Sequence, residues 1–292
     1  MAEQETAEKD ADSTENNIEE TETEAEAEVE SPDLSRDRGG FKCIAKQRVL
    51  RTYFDAFSTI VDEMKLHINQ DGFYGAAVDP ASVGMVEESL SESAFEHYSS
   101  TGGLLGINLD RIDDILGLAS PDDLIEVDLD QETRKFHIQI GGLEYNVALI
   151  DPQSIREEPD IPDLDLPAEI VLEGAKLTRG VKAADMISDH ILLRLDETGD
   201  EPVFIIEAEG DTDEVEDRLT PEDLIDLTTG AASSLFSLDY LKDFNKAIPK
   251  NREVRIKLGE EFPVKIIFDN IEVDDELHGT VTMMLAPRIQ SD

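Results

Sequence analysis

The sequence contains 292 residues, of which 39% are apolar, and its formal net charge is −44. No run of about 18 apolar residues occurs, so the pattern predicts no membrane-spanning helix. The first residues lack the apolar segment that is typical of a secretory signal. Cys43 is the single cysteine, which excludes an internal disulfide framework. These features predict a cytoplasmic protein of about two domains.

Three origins of the negative charge are compatible with the sequence: an acidic tail, a surface for a basic partner, or adaptation of the whole protein to high salt. Residues 1–40 hold 15 acidic and 3 basic residues, a net −12, so most of the charge lies beyond them. An evenly acidic chain with only 12 lysines favours adaptation to molar salt. There the Debye length falls to about 3 Å, and repulsion between like charges is screened.

Residues 1–38 form an acidic, low-complexity segment nearly free of aromatic residues. Such a composition buries too little apolar surface to offset the entropy of ordering, so it predicts a disordered N-terminal tail. A helix over residues 19–30 is the alternative, but like charges at i, i+4 spacing oppose it.

Residues 39–150 are expected to form a first domain. Alternating and helical apolar patterns, with a turn at Asp71-Gly72, predict its elements. These are a strand, a helix, a hairpin, a second helix and two further strands, at residues 41–45, 46–63, 65–78, 110–119, 124–129 and 135–140.

Residues 168–292 look like a second, imperfect copy. The starting residues Phe41 and Ala168 lie 127 residues apart, and the triplets Asn108-Leu109-Asp110 and Ser237-Leu238-Asp239 lie 129 apart. The repeat of about 128 residues predicts two β-α-β-β-β-α-β-β-β units. Its other two helices are expected at residues 175–188 and 237–248. Between the copies, residues 151–167 contain four prolines and six acidic residues, which predicts an extended connector.

The four predicted helices differ in charge from the rest of the chain. Together they contain nine acidic and nine basic residues and are therefore neutral. Pairing at i, i+3 or i, i+4 on a solvated face is one interpretation. Lys176, Arg179 and Lys182 have no acidic residue between them, so a surface that faces an anion is the other. The nine bases are Lys46, Arg48, Arg51, Arg111, Lys176, Arg179, Lys182, Lys242 and Lys246.

Catalytic and metal-binding patterns are not found in the sequence. The five histidines are scattered without the spacing of metal ligands, and neither HExxH nor CxxC occurs. No phosphate-binding glycine motif follows a predicted strand. Carboxylate pairs such as Asp113-Asp114 arise by chance in so acidic a chain. We therefore predict no enzymatic activity, no metal and no cofactor.

Four segments stand out, in this order: AAVDPASVGMV (76–86), GINLDRIDDIL (106–116), DLDLPAEI (163–170) and LAPRIQ (285–290). Together they resemble the archaeal sliding clamps, which are homologues of proliferating cell nuclear antigen (PCNA). The resemblance implies an α+β fold of two duplicated βαβββ-βαβββ-type domains, residues 39–150 and 168–292. It also implies a homotrimeric ring with sheets outside and four helices lining a hole.

The resemblance further implies that the ring encircles duplex DNA without reading its sequence. The nine basic residues would face the DNA and neutralise phosphates. The match is incomplete, because Asp114, Gly117 and Asp239 stand where the family usually has lysines in the pore. Arg179, Lys182 and Lys246 match the family pattern.

Partners of such clamps carry a Gln-x-x-aliphatic-x-x-aromatic-aromatic peptide that docks in an apolar groove. By resemblance, the partners are DNA polymerase, the clamp loader, flap endonuclease and DNA ligase. The groove would be lined by Val78, Ser82, Val83, Ile161, Leu164, Pro263, Met284, Ala286 and Pro287. Met283 and Leu285 alternate with Met284 and are expected in the core.

Neighbouring subunits would pair the edge segments 135–145 and 212–219. The second segment is strongly acidic, so a ring that depends on molar salt is expected. Two other functions remain alternatives at this point. A metal-dependent hydrolase would need clustered carboxylates at defined spacing, and an acidic, DNA-mimicking interaction module would leave the basic helix faces unexplained.

Overall fold

The computed structural model describes residues 40–160, 162 and 164–288. The predicted tail, residues 1–38, and the predicted groove residue Ile161 lie outside this part of the chain. The predicted helices form with slightly different ends. The first ends at Ser58 rather than near Glu63, because Glu63 already begins the next strand.

The described residues before the connector form nine strands and two α-helices. In chain order they are β1 Phe41–Lys46, α1 Gln47–Ser58, β2 Glu63–Asn69, β3 Gly72–Val78, β4 Gly84–Ser91, β5 His97–Ser100, β6 Gly103–Asn108, α2 Leu109–Leu116, β7 Leu124–Asp130, β8 Lys135–Ile140 and β9 Leu143–Ala148.

The described residues after the connector form nine strands and two α-helices in the same order. They are β10 Ala168–Glu173, α3 Gly174–Ala184, β11 His190–Asp196, β12 Val203–Glu209, β13 Glu214–Leu219, β14 Asp226–Thr228, β15 Ser233–Ser237, α4 Leu238–Ala247, β16 Glu253–Leu258, β17 Val264–Val273 and β18 Glu276–Leu285. The predicted duplication is confirmed. Each copy has five strands between its helices, two more than the predicted β-α-β-β-β-α-β-β-β unit and one more than the βαβββ-βαβββ pattern.

The strands pair in three antiparallel sheets. Their orders are β5-β1-β7-β8-β9, β14-β10-β16-β17-β18-β4-β3-β2-β6, and β13-β12-β11-β15. The nine-stranded sheet joins the two copies, because β18 of the second pairs with β4 of the first. Leu285 lies opposite Gly84 and Met283 opposite Val86 in this pairing.

The free edges of the other two sheets include β9 and β13. The expected edge segment 212–219 corresponds to β13. The expected edge segment 135–145 needs correction, because β8 lies between β7 and β9 and only β9 is exposed at the edge. The glycine turn 141–142 sends the chain back along β8 and forms this outer strand.

The helices form a continuous layer on the buried side of the sheets. Helix α1 contacts both α2 and α4, and α3 contacts α4, so the order across the layer is α2-α1-α4-α3. Each helix buries an apolar stripe at helical spacing, as Leu50, Tyr53 and Phe57 do in α1. The opposite faces of the helices point away from the sheets and carry the basic residues.

Candidate functional site

The nine predicted basic residues lie on or beside the four helices, with Lys46 at the end of β1, immediately before α1. Seven of them form ion pairs with carboxylates of the described chain. Arg111 and Lys182 are exposed and make no ion pair within the described residues. The helix layer therefore presents two free cations and seven that already have an acidic partner.

Most of these partners come from other elements. Arg179 of α3 makes two hydrogen bonds to Asp217 of β13, at 2.9 and 2.7 Å. Arg51 of α1 donates to Asp113 of α2 at 2.6 Å. Pairs between different elements cannot be found by looking for opposite charges at i, i+3 and i, i+4 spacing in the sequence. Pairs at that spacing also occur, between Arg51 and Asp55, Lys242 and Asp239, and Lys246 and Asp243.

The paired bases can still bind an external anion. Lys176 donates to Asp223 at 3.0 Å, and this hydrogen bond lowers the pKa of the Asp223 carboxyl. This pair is partly open to solvent. Solvent-exposed ion pairs contribute only about 0–1 kcal/mol, so phosphate can compete with the carboxylates of the more exposed pairs. The layer is suited to loose attraction of a polyanion and not to tight binding.

A second set of predicted residues lies on the outer face of the nine-stranded sheet. Val78 and Met284 both lie directly opposite Met85 of β4, so the three side chains form one row across the sheet. Met283 and Leu285 point to the other face and belong to the main core, as expected. The Met284 side chain is only 4% exposed. The accessible thioether of this row is Met85, which sequence reasoning missed.

The loop between β3 and β4, residues 79–83, and the first residue of β4, Gly84, meet the C-terminal segment. The Ala286 N–H donates to the Val83 carbonyl at 2.9 Å. Pro263 precedes Val264, the residue that pairs with Leu285, and so lies beside the chain that follows β18. Val83, Pro263, Ala286 and Pro287 are half-buried, and Ser82 is exposed with a φ of 59°. We call residues 79–84 the docking loop.

The connector crosses the same outer face. Its Arg156 donates to the Asp79 carbonyl at 2.9 Å and to the Ser82 hydroxyl at 2.7 Å. Glu158 pairs with His67 of β2 at 2.8 Å. Leu164 is half-buried, and its carbonyl accepts from the Leu166 N–H at 3.1 Å. The docking loop, the connector and the C-terminal segment thus converge, and we call the surface among them the docking groove.

Comparisons with known proteins identify relatives of this chain. Residues 43–141 match the family described as "Proliferating cell nuclear antigen, N-terminal domain". The chain is 58% identical over 252 residues to the DNA polymerase sliding clamp of Natronomonas pharaonis, covering 86% of this chain and 100% of the relative. It is 56% identical, with the same coverage, to that of Halobacterium salinarum.

The chain belongs to the sliding clamp family. A solved structure, "C-terminal region of FEN-1 bound to A. fulgidus PCNA", is 38% identical with a TM-score of 0.79, covering 86% of this chain and 100% of that one. PCNA from Thermococcus kodakaraensis gives a TM-score of 0.74 at 28% identity, covering 85% of this chain and 100% of that one. The predicted fold class is therefore confirmed.

Membership of this family also decides between the functional alternatives. Sliding clamps are processivity factors without catalytic activity, in agreement with the prediction that this chain is not an enzyme. The relatives do not support the acidic, DNA-mimicking module. Within the described residues, no three His, Cys, Asp or Glu side chains are arranged to hold a metal ion. No helix in that part of the chain has the length and apolarity to cross a membrane.

Proposed function

We propose that three copies of this chain close into a ring that encircles duplex DNA and tethers DNA polymerase and other enzymes of replication and repair to it. The proposed assembly rests on one observation, which is that each strand of the first copy of the repeat has an equivalent strand in the second. By position in the repeat, β9 corresponds to β18 and β13 corresponds to β4. Strands β18 and β4 pair within the chain, whereas β9 and β13 are free edges.

A contact between β9 of one copy and β13 of the next would repeat the internal joint. Such a contact is head-to-tail, and head-to-tail contacts close into rings when the rotation between copies allows it. It would also cover two exposed edges that otherwise invite uncontrolled pairing. The number of three copies comes from the family resemblance.

The helix layer supplies the inner wall in this proposal. Arg111 and Lys182 would meet phosphates directly, while the seven paired bases would exchange their carboxylates for phosphates. Contacts to the phosphate backbone carry no sequence information, so one ring could move along any duplex. Because the attraction is weak, retention would depend on encirclement.

The docking groove would receive the partner peptides. A relative of this chain binds the C-terminal region of FEN-1. An apolar row that includes Met85 is suited to varied aliphatic and aromatic anchors, because a thioether side chain adapts to different shapes. DNA polymerase, the clamp loader, flap endonuclease and DNA ligase are the proposed partners. A cytoplasmic location remains a prediction.

The assembly is tested by the absolute mass in solution, measured by light scattering in about 2–3 M KCl, where charge repulsion is screened. We expect about three times 32.4 kDa. A strict monomer at micromolar concentration would refute the homotrimer.

Asn146→Pro tests the edge pairing itself. The two-residue turn at 141–142 makes Ile140 and Leu143 a closing pair bonded in both directions, so alternate residues of β9, Glu144 and Asn146, direct their N–H groups outward. Proline at Asn146 removes one outward donor and leaves the β8–β9 ladder intact. The proline variant is expected to be monomeric and Asn146→Ala to remain trimeric.

A further inference from the structure

Asp79, at the start of the docking loop, is buried and fully engaged. Its Oδ1 accepts the N–H groups of Val83 and Gly84 at 2.6 and 2.7 Å, and its Oδ2 accepts the Ala81 N–H at 2.8 Å. Oδ2 also accepts the Tyr240 hydroxyl at 2.6 Å. One carboxylate therefore determines the path of the whole loop.

Tyr240 reaches this carboxylate from α4, on the opposite side of the nine-stranded sheet from the connector. Its ring packs on β4, since a Cβ added at Gly84 would lie 3.1 Å from the Tyr240 ring. Burial and the hydrogen bond to Asp79 raise the pKa of Tyr240 to about 12, so the hydroxyl is protonated and can donate at neutral pH. Helix α4 also carries Lys242 and Lys246 of the proposed inner wall.

The charge on Asp79 is maintained by these contacts. Burial alone would raise the pKa of the carboxyl, but the hydrogen bonds from Tyr240 and the loop amides hold it below its ordinary value. On the other side of the loop, Arg156 holds the Asp79 carbonyl and the Ser82 side chain. The loop is thus fixed from within by the carboxylate, from the connector by Arg156 and from α4 by Tyr240.

We infer that Tyr240 is a positioning residue for partner docking: through Asp79 it holds the docking loop in the conformation that the groove requires. This inference rests on the proposed function. It adds a fourth element, the DNA-facing helix α4, to a groove otherwise built from the loop, the connector and the C-terminal segment. A loop that is ordered before binding spares the peptide the entropy of ordering it.

The test is Tyr240→Phe, which keeps the ring and removes only the hydroxyl. The probe is a labelled synthetic peptide with the Gln-x-x-aliphatic-x-x-aromatic-aromatic pattern, titrated by fluorescence anisotropy in molar KCl. Loss of a hydrogen bond to a carboxylate is expected to raise the Kd about tenfold. Tyr98→Phe is the matched control, because the Tyr98 hydroxyl donates to the backbone carbonyls of Asn69 and Gly72, at the turn between β2 and β3 and not in the docking loop.

Hydrogen–deuterium exchange supplies a readout that does not need the peptide. In Tyr240→Phe, the amides of residues 81–84 should exchange faster while those of β1 and β7 are unchanged. Equal exchange and equal Kd in Tyr240→Phe and the unmodified protein would overturn the inference. Failure of the unmodified protein to bind the peptide would overturn the proposed docking function and the docking role of Tyr240 with it. In that case faster exchange would still establish that Tyr240 holds the loop.

Discussion

The Ala286 N–H donates to the Val83 carbonyl at 2.9 Å, and this bond joins the end of the chain to a loop more than two hundred residues earlier. It continues the β18–β4 pairing one step beyond Leu285, where the sheet ends. The side chain of Ala286 remains half-exposed beside Pro287. The C-terminal segment is thus fixed by its backbone, while its small side chains are left available for contact.

Ala286→Glu should abolish much of the docking without unfolding the clamp. A carboxylate at this position would have to be desolvated against an apolar peptide, which raises the Kd by about tenfold or more. Anisotropy titration of the labelled peptide measures the change. Ala231→Glu, at an exposed alanine, adds the same charge elsewhere and should bind normally. Unchanged affinity in Ala286→Glu would place docking on another surface.

Glu144→Lys should let the ring form at lower salt. Glu144 is exposed on the β9 edge, and β13 presents Glu214, an exposed carboxylate without an ion pair in the described chain, so the proposed joint brings like charges together. Reversing one of them replaces repulsion with attraction, which matters most where screening is weak. The KCl midpoint of trimer dissociation, followed by light scattering, should fall. Glu201→Lys, in an exposed turn, should leave the midpoint where it was.

Arg111→Ala combined with Lys182→Ala should weaken the attraction to DNA. These are the two basic side chains of the helix layer with no carboxylate partner in the described chain. Their loss should reduce the slope of log K against log salt by about 1 to 2, in line with two lost phosphate contacts. Anisotropy of a short labelled duplex, in KCl that keeps the ring intact, gives this slope.

The matched control for that double variant removes two basic residues from the outer sheet. Arg255 and Lys257 of β16 both pair with Glu169, on the side of the sheet away from the helices. Arg255→Ala with Lys257→Ala has the same net charge as the inner-wall variant. An equal loss of slope in both would show that net charge, and not position, governs the attraction.

Glu88→Gln should stabilise the clamp increasingly as the pH rises. Glu88 is fully buried, lies opposite Gly75 and accepts a hydrogen bond from Asn270 at 2.9 Å. Burial raises the pKa of Glu88 well above its ordinary value. The unfolded chain therefore releases this proton at lower pH than the folded one, and the folded state loses stability above about pH 4.3.

Glutamine has nearly the same shape as glutamate and never ionises. The difference in thermal midpoint between Glu88→Gln and the unmodified protein should be small near pH 4 and grow toward neutral pH. The corresponding difference in the free energy of unfolding grows by at most about 1.4 kcal/mol per pH unit, up to the folded-state pKa. Glu87→Gln, on the other face of β4, is the control. A difference that does not depend on pH would mean that Glu88 is ionised in the folded protein.

Periodicity and repetition predicted the helices, the duplicated fold and the core role of Met283 and Leu285. These features depend on local spacing, which a sequence displays directly. The partners of the basic residues were not predictable, because Arg48 binds Asp122 and Arg179 binds Asp217 across the fold. The contact between Asp79 and Tyr240 spans 161 residues and leaves no local signal.

The order of the strands within each sheet could not be predicted from the sequence either. The sequence pattern of β8 and β9 marks both as strands, but it does not say which of them lies outermost. The pairing of β4 with β3 and β18 places Met85 between Val78 and Met284. No sequence motif had indicated a role for Met85. The resemblance to a family predicted which residues line the groove. The strand register of the structure then showed which of those side chains lie opposite one another.

The pairing of β18 with β4 gives the chain an internal joint of the same kind as the joint proposed between subunits. A closed ring of three copies would have six such joints. Three lie within a chain and are spanned by its connector, and they alternate with three between chains that no covalent segment spans. Opening the ring to admit DNA would break a joint of the second kind, because a parted β18–β4 joint remains spanned by the covalent connector. The connector would thus fix where the ring opens as well as where its partners dock.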